Sequence, residues 1–515
     1  MRVLVLLFQY CFLGSISAQP TIQWQTTFGG TSYDAAYSVI QTIDGGYIAA
    51  GSSGSSSLFG HHGGNDIWVI KLSADGALKW KKLLGGTGNE VARCIRQDSD
   101  GGYFIAGYTE SNNYDVSGNH GGFYDGWFVK LDTIGNIQWQ KALGSSGWDD
   151  IISAIQTPDH GYILTGRSQN ADGDVSFNHG FTDLWVVKLS QLGAIEWEKS
   201  YGGGLEDSGH SIKPTADGGY IVVGQAYSTD GDVTGQHGNG DFWAIKLSST
   251  GVLEWQKAMG GGGEDIASDV VQTADDGFAL VGYEGSIDGD VTGHHGQYDY
   301  WVTMLDASGN LRWEKSLGGI LSDWGRAIVV TEDGGVIVAG TTRSSDGDVQ
   351  NNDGGSEFWL VKLNGHGQLV WQQTYGGTEP EICYSLSKTS DGGLVMAGYS
   401  WSTDGDVSGS LNIGKGDFWI VKLGSESVGV EDLSNNEGDT MELYPNPTGE
   451  KITIKVTGFP SSVQITLIDM LGSQVLQQEV SQDATINLAH LKPGIYFATA
   501  ITPDGKVLRK KFEKF

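Results

Sequence analysis

Residues 197–255 read WEKSYGGGLEDSGHSIKPTADGGYIVVGQAYSTDGDVTGQHGNGDFWAIKLSSTGVLEW, and the architecture follows from this stretch. Ten residues after Trp197 stands Asp207, then the short segment 208–214, then Asp217-Gly218-Gly219 and the apolar run Tyr220-Ile221-Val222-Val223-Gly224. A polar loop carries Asp230-Gly231-Asp232-Val233-Thr234-Gly235. Asp241-Phe242-Trp243-Ala244-Ile245-Lys246-Leu247 follows, and a turn around Gly251 leads to Leu253-Glu254-Trp255. Short apolar and alternating runs bounded by Gly and Asp read as four strands. Tight turns join the first to the second and the third to the fourth, and one long loop joins the second to the third.

The frame occurs seven times. Its leading tryptophans are Trp24, Trp80, Trp139, Trp197, Trp255, Trp313 and Trp371, spaced 56 to 59 residues apart. The tryptophans of the third strand are Trp68, Trp127, Trp185, Trp243, Trp301, Trp359 and Trp419, so 14 of the 17 keep one register. Such a period means one supersecondary unit stacked on copies of itself. Gly46, Gly102, Gly161, Gly219, Gly277, Gly335 and Gly393 are expected to supply a positive φ in the first hairpin turn. Five residues later, Gly51, Gly107, Gly166, Gly224, Gly282, Gly340 and Gly398 are expected to end the second strand where backbones approach closely. Small residues on the first strand (Ala36, Ala92, Gly209, then Ser38, Cys94, Ser211) suit a crowded axis. The reading is a seven-bladed β-propeller. The chain enters with a fourth-strand sequence, Ile22-Gln23-Trp24-Gln25, and leaves the array with a third strand, Asp417 to Leu423, so the first strand is expected to complete the last blade. An open β-solenoid is the alternative. Residues 21–423 also resemble the bacterial seven-bladed propeller repeat family, with its Trp, Gly-Gly and Asp-Gly-x-Tyr-x-x-x-Gly pattern.

Residues 1–18 have Arg2, the apolar run Val3 to Leu13 and small residues to Ala18, which reads as a secretory signal peptide. Two cysteines then remain, Cys94 and Cys383, in non-adjacent units, and they read as two buried thiols. The net charge of −31, from 62 acids against 31 Lys and Arg, argues against nucleic acid and anionic membrane surfaces. No segment after the leader is long and apolar enough to span a membrane.

Beyond Leu423 the composition changes. Residues 424–440 read as an acidic flexible linker, and 441–515 as a small β-sandwich of short alternating strands. Leu443-Tyr444-Pro445-Asn446-Pro447, Ile468-Asp469-Met470-Leu471-Gly472, Lys492-Pro493-Gly494-Ile495-Tyr496 and the basic end Arg509-Lys510-Lys511 resemble the C-terminal sorting domain of type IX secretion cargo. The resemblance implies recognition by the type IX machinery and passage through the periplasm and outer membrane. The cargo would end at the cell surface or outside the cell, with cleavage in the acidic linker.

Two sets of residues could carry chemistry. Asp34, Glu90, Asp149, Asp207, Asp265, Asp323 and Glu381 place an acid in every copy, which suits a blade-to-blade hydrogen-bonding device better than a single site. In the long loop, Asp230, Asp232, Thr234 and Asp241 stand at positions 1, 3, 5 and 12 of a twelve-residue frame with Gly235 at 6, and Asp288, Asp290, Thr292 and Asp299 repeat it with Gly293. Asp172, Asp174 and Asp183 keep the frame in the third unit with Phe177 for the glycine, and the other units keep less of it. That is the spacing of an EF-hand-type loop, so calcium, bound weakly, is the one cofactor suggested. The same Asp-Gly-Asp also makes Asx-turns without metal. The histidines His62, His120, His179, His237 and His295 recur in the loop and read as packing or hydrogen-bonding groups. No Ser/His/Asp set and no cluster of arginines appears. Trp148, Trp324 and Trp401 stand off the register, and the first two could stack on sugars. The pattern favours a non-enzymatic glycan- or protein-binding, adhesion-type module. A glycosidase-like secreted hydrolase and a structural surface-layer protein are the alternatives.

Overall fold

The computed structural model describes residues 19–352, 354–408, 415–426, 440–457, 463–469, 474–480, 483–501 and 507–515. The expected signal peptide, most of the expected linker, and Gly472 lie outside them, as does the side chain of Asp469. The chain forms two compact units, Gln19–Ser425 and a second within Glu426–Phe515. No helix among the described residues is long and apolar enough to cross a membrane.

The larger unit is all-β: seven four-stranded antiparallel sheets, six of them in chain order. The fourth is typical, with strands Asp207–Pro214, Tyr220–Ala226, Asp241–Leu247 and Leu253–Met259. The seventh takes Glu381–Lys388, Leu394–Ser400 and Asp417–Leu423 from the end of the array and Ile22–Phe28 from its beginning, pairing Gln25 with Val421 and Phe28 with Phe418. A strand left unpaired there would expose a row of backbone donors and acceptors.

Sheet packs on sheet through the third-strand tryptophans, each at most 1% exposed. Trp127 of the second sheet joins Ile48 and Val69 of the first, and Trp185 of the third joins Phe104 and Phe128 of the second. The succession continues from the seventh sheet to the first, where Trp68 packs with Phe418 and Ile420. Burying a tryptophan removes 150–250 Å² from water, worth about 4–6 kcal/mol before entropy is counted. Six of the fourth-strand tryptophans, all but Trp371, cover the third-to-fourth-strand turn of the next sheet, as Trp24 does with Nε1 donating to Ala74 O at 3.2 Å.

The two glycine series behave differently from expectation. In the first hairpin the positive φ falls one residue earlier, at Gly45, Gly101, Gly218, Gly334 and Gly392, and at His160 and Asp276 where glycine is absent. The invariant glycine is required by crowding: a Cβ on Gly219 would sit 2.3 Å from Leu247 O. In the second series the close approach is real, but the strand runs on for two residues beyond the glycine. A Cβ on Gly224 would lie 1.9 Å from Ser208 O, and the same carbonyl contact recurs at all seven positions.

Those carbonyls belong to β-bulges. In every first strand the pairing register skips one residue, between Ala36 and Ser38, Ala92 and Cys94, Ile151 and Ser153, Gly209 and Ser211, Ala267 and Asp269, Gly325 and Ala327, and Cys383 and Ser385. The glycine opposite makes room for the distorted backbone, and a bulge re-aims the skipped side chain. The small residues also divide. Ser38 and Ser211 line a cavity shared by the first strands, Ala36 and Ala92 belong to the cores between sheets, and Cys94 touches both. Cys94 and Cys383 are free and buried.

The smaller unit has a three-stranded sheet (Thr440–Tyr444, Lys451–Thr457, Asp483–Asn487) and a four-stranded one (Gln474–Val480, Val463–Asp469, Gly494–Ile501, Val507–Lys514). They share a core that includes Ile452, Ile454, Ile465, Leu467, Ile486, Ala498 and Phe512.

Candidate functional site

The long loops turn their acids inward onto their own sheet. Asp230 Oδ1 accepts from Gly204 N at 2.8 Å, Asp288 Oδ1 from Gly262 N at 2.7 Å and Asp172 Oδ1 from Ser146 N at 2.7 Å. Asp232, Asp290 and Asp174 accept from Gly202, Gly260 and Gly144 N at 3.3–3.4 Å. The first two acids of each frame thus cap the turn that enters the first strand. Thr234 pairs with Gln256, and Thr292 donates to Glu314. The last acid lies elsewhere: Asp183, Asp241 and Asp299 are fully buried and bound by the loop histidine, as in His179 Nδ1 to Asp183 Oδ2 at 2.7 Å. His179 reaches on toward the next sheet, with Nε2 3.7 Å from Asp232 Oδ2, and His120 does the same toward Asp174 at 3.6 Å. The twelve-residue frame therefore splits. Its last acid faces the third-position acid of the following copy, and the histidine stands between them.

At the same junctions the acids that begin the third strand of one sheet and the first strand of the next come together. Asp241 Oδ1 and Asp265 Oδ2 both approach Gly260, within 2.9 and 2.4 Å of where its Cβ would be. Burial, with the neighbouring Asp265 charge added, outweighs the His237 hydrogen bonds and raises Asp241 to about 6. Asp417 is raised to about 6 by burial and by Asp34. The Oδ1 atoms of Asp66, Asp125, Asp183, Asp241 and Asp299 have no hydrogen-bond partner. The first-strand acids also brace the inter-sheet turns, Asp207 accepting from Gly203 N at 2.8 Å and from the Ser228 hydroxyl at 2.6 Å.

The fifth sheet departs from its siblings. Where Ser168 or Thr109 donates to the first-strand acid of its sheet, it has Glu284, and where Asn178 or Asn119 caps a backbone carbonyl it has His294. Glu284, His294 and Asp299 are the one trio of His, Cys, Asp or Glu among the described residues whose ligand atoms lie within 4.8 Å of one another. His294 Nδ1 is 2.9 Å from Glu284 Oε2 and its Nε2 is 2.6 Å from Gly296 O. Burial raises Glu284 to about 7 against the pull of His294.

The first strands of the seven sheets line one cavity of roughly 670 Å³. The seven bulge residues, Tyr37, Arg93, Ile152, His210, Ser268, Arg326 and Tyr384, all line it. They stand three residues after the repeat acid, and they do not repeat as the positions around them do. That contrast was visible in the sequence, but strict strand alternation conceals where the bulged side chain points. Arginines distant in sequence are also brought together, since Arg93, Arg96 and Arg326 share this cavity. Tyr37 and Tyr384 lie 4.7 Å apart, centroid to centroid. Burial holds His210 down at about 4, so its imidazole is neutral. Trp148 is 36% exposed and stacks on Tyr124 at 6.5 Å and 9°. Trp401 is 45% exposed, and Trp324 is half-buried within its strand.

In the smaller unit, Tyr496 stacks on Phe512 and donates to Lys492 O at 2.8 Å, and Asn446 donates to Lys511 O at 3.1 Å. Tyr444 is exposed, and Gly494 is extended.

Residues 442–513 match the family model described as the secretion system C-terminal sorting domain. The chain is thus a protein exported by the type IX secretion system to the cell surface or the extracellular space. The chain is similar to an uncharacterized WD repeat-containing protein of Acanthamoeba polyphaga mimivirus, 21% identical over 400 residues; the match takes in 65% of this chain and 26% of that protein, so the chain spans about a quarter of its relative. Among solved structures, the extracellular domain of a putative one-component system of B. thetaiotaomicron aligns at 9% identity and TM-score 0.40, over 95% of this chain and 59% of the other. The NanB sialidase of Streptococcus pneumoniae aligns at 9% identity and TM-score 0.37, over 78% and 70%.

Proposed function

We propose that the larger unit is a closed seven-bladed β-propeller, displayed by type IX export, that binds an extracellular glycan at its axial cavity without chemically altering it. Closure is supported by hydrogen bonds between the seventh and first sheets, Val39 N to Ser385 Oγ at 3.1 Å and Ser387 Oγ to Val39 O at 2.9 Å. They match the bond between the first and second sheets, Ile95 N to Ser38 Oγ at 3.2 Å. One observation carries the binding reading: the seven copies differ where their bulged side chains meet, and a ligand requires one geometry there rather than seven equal ones. Tyrosines supply flat apolar faces with polar edges, which suit sugar rings. A hydrolase needs carboxylates that reach substrate. Here the repeated first-strand acids are sealed at 0% exposure, Glu206 is held by Arg167 at 2.8 Å and Glu264 by Tyr227 at 2.5 Å, and the cavity-lining Asp269 is paired with Lys213 at 2.7 Å.

The test is affinity electrophoresis of the purified protein through gels carrying different polysaccharides. Retardation by at least one, lost in the Tyr37→Ala, Tyr384→Ala double variant with an unchanged melting temperature, supports the reading. Undiminished retardation of that variant would remove the cavity from it.

For calcium the proposal narrows to the sheet junctions, where a cation beside Asp241 and Asp265 would relieve their repulsion. Millimolar calcium then raises the melting temperature relative to chelator, and Asp241→Asn with Asp299→Asn diminishes the gain. An identical melting curve with and without calcium would leave the junctions to protons and water.

A further inference from the structure

We infer that the axial cavity receives an acidic sugar, with the Arg93 and Arg326 guanidiniums holding its carboxylate or sulfate while Tyr37 and Tyr384 face the ring. This rests on the glycan reading above and names the class of glycan.

Arg93, Tyr37, Tyr384 and Arg326 come from the second, first, seventh and sixth sheets, so they form one uninterrupted arc of bulge residues. Arg93 Cζ lies 5.4 Å from the Tyr37 centroid and 5.7 Å from that of Tyr108, and Arg326 Cζ lies 5.4 Å from that of Tyr283. Aromatic faces hold both guanidiniums in place, yet among the described residues neither forms an ion pair with a carboxylate. Two arginines outside the cavity do: Arg167 meets Asp150 and Glu206, and Arg312 meets Asp275. In a chain with twice as many acids as bases, two guanidiniums lacking an acid on one cavity wall are unexpected unless an anion arrives from outside.

The rest of the wall agrees. Arg96 and Lys388 add positive charge, and Asp269, the sole acid among the described residues lining the cavity, is neutralised by Lys213 at 2.7 Å. Arg93 Nε and Ser268 Oγ are buried atoms with no hydrogen-bond partner. Desolvated donors without acceptors are costly unless a ligand supplies the acceptors. A planar guanidinium fork matches carboxylate or sulfate oxygens in pairs, and roughly 670 Å³ accommodates a few sugar residues. The net charge of −31 opposes a long polyanion at a distance, but salt screens that repulsion beyond about 8 Å, so the short-range grip decides.

Isothermal titration of the full exported protein with trigalacturonate, its methyl ester and a sulfated galactan trisaccharide tests this. At least one anionic probe should bind about tenfold or more tightly than the ester, and which one does so separates carboxylate from sulfate. Arg93→Gln with Arg326→Gln should abolish that preference, whereas Arg312→Gln, on the fourth strand of the fifth sheet and outside the cavity lining, should leave it. Should the double variant misfold, Arg326→Lys keeps the charge, loses the fork and weakens anion binding several-fold. Equal binding of ester and acid, still lost on Tyr37→Ala, would overturn the acidic preference and leave the glycan reading standing. Absence of binding by all three probes, with no polysaccharide retarding the protein, would overturn both.

Discussion

At the residue scale the informative position is Gly224 and its six counterparts. Each faces the carbonyl of a bulge at 1.8–2.0 Å from where a Cβ would be, so alanine there forces the bulge to straighten or the strands to part. Gly224→Ala should destabilise by about 2–3 kcal/mol or more, as overpacking of a rigid site does, and should turn His210 away from the cavity. Chemical denaturation measures the first effect. A loss well under 1 kcal/mol would show that the bulge is not fixed by its glycine. Trp243, fully buried with Nε1 donating to Gln256 at 2.9 Å, should cost about 3–5 kcal/mol on replacement by alanine. Its recurrence every 58 residues or so made it legible from sequence. Arg93 was not legible, because a bulge residue breaks the alternation by which strand faces are read.

At the element scale, the two kinds of carboxylate in each copy act in opposite directions with pH. At the strand starts, Asp241 and Asp417 are raised to about 6, so the folded state binds their protons more tightly, and stability rises as pH falls from about 6 toward the ordinary value near 4. In the hairpin turns, partial burial pushes Asp159 up, but the Thr157 hydroxyl, the Lys188 ammonium and Gly161 N–H outweigh it and hold it at about 2. Asp391 is held at about 2 in the same way by Thr389, Lys422 and Gly393. Those turns contribute stability above pH 4 that is lost as pH falls toward 2. The melting temperature should therefore pass through a maximum between about pH 4 and 6. Calorimetry across that range decides it, and a steady fall from neutrality downward would mean the junction acids do not gain protons on folding. The split of the Asp-Gly-Asp frame belongs to this scale too. Spacing alone suggested one metal loop, but the strand Asp241–Leu247 carries Asp241 to the junction at Gly260, whereas Asp230 caps the turn at Gly204.

At the scale of the whole molecule, Ile22–Phe28 ties the start of the array to its end by pairing with the last strand of the seventh sheet. Deleting it should leave the seventh sheet with three strands and an open edge, lowering the melting temperature and promoting self-association, both visible by light scattering during a thermal ramp. A deletion variant that stays monomeric with an unchanged melting temperature would count against closure. Delivery is separable from this. The sorting domain at 442–513 brings the chain out of the cell, and the larger unit must do its work under extracellular conditions.

Period, strand count, incomplete ends and the sorting motif lie in local sequence, because strands, turns and a linear signal are specified by neighbours along the chain. The cavity is not local. Tyr37 and Tyr384 are 347 residues apart and touch only because the seventh sheet meets the first. The same holds for Glu284 and His294, two unremarkable substitutions in one copy until the long loop folds back on its sheet and brings them to the repeated acid Asp299. The repeat fixes what is common to the seven copies, and the tertiary structure alone brings their differences to one place.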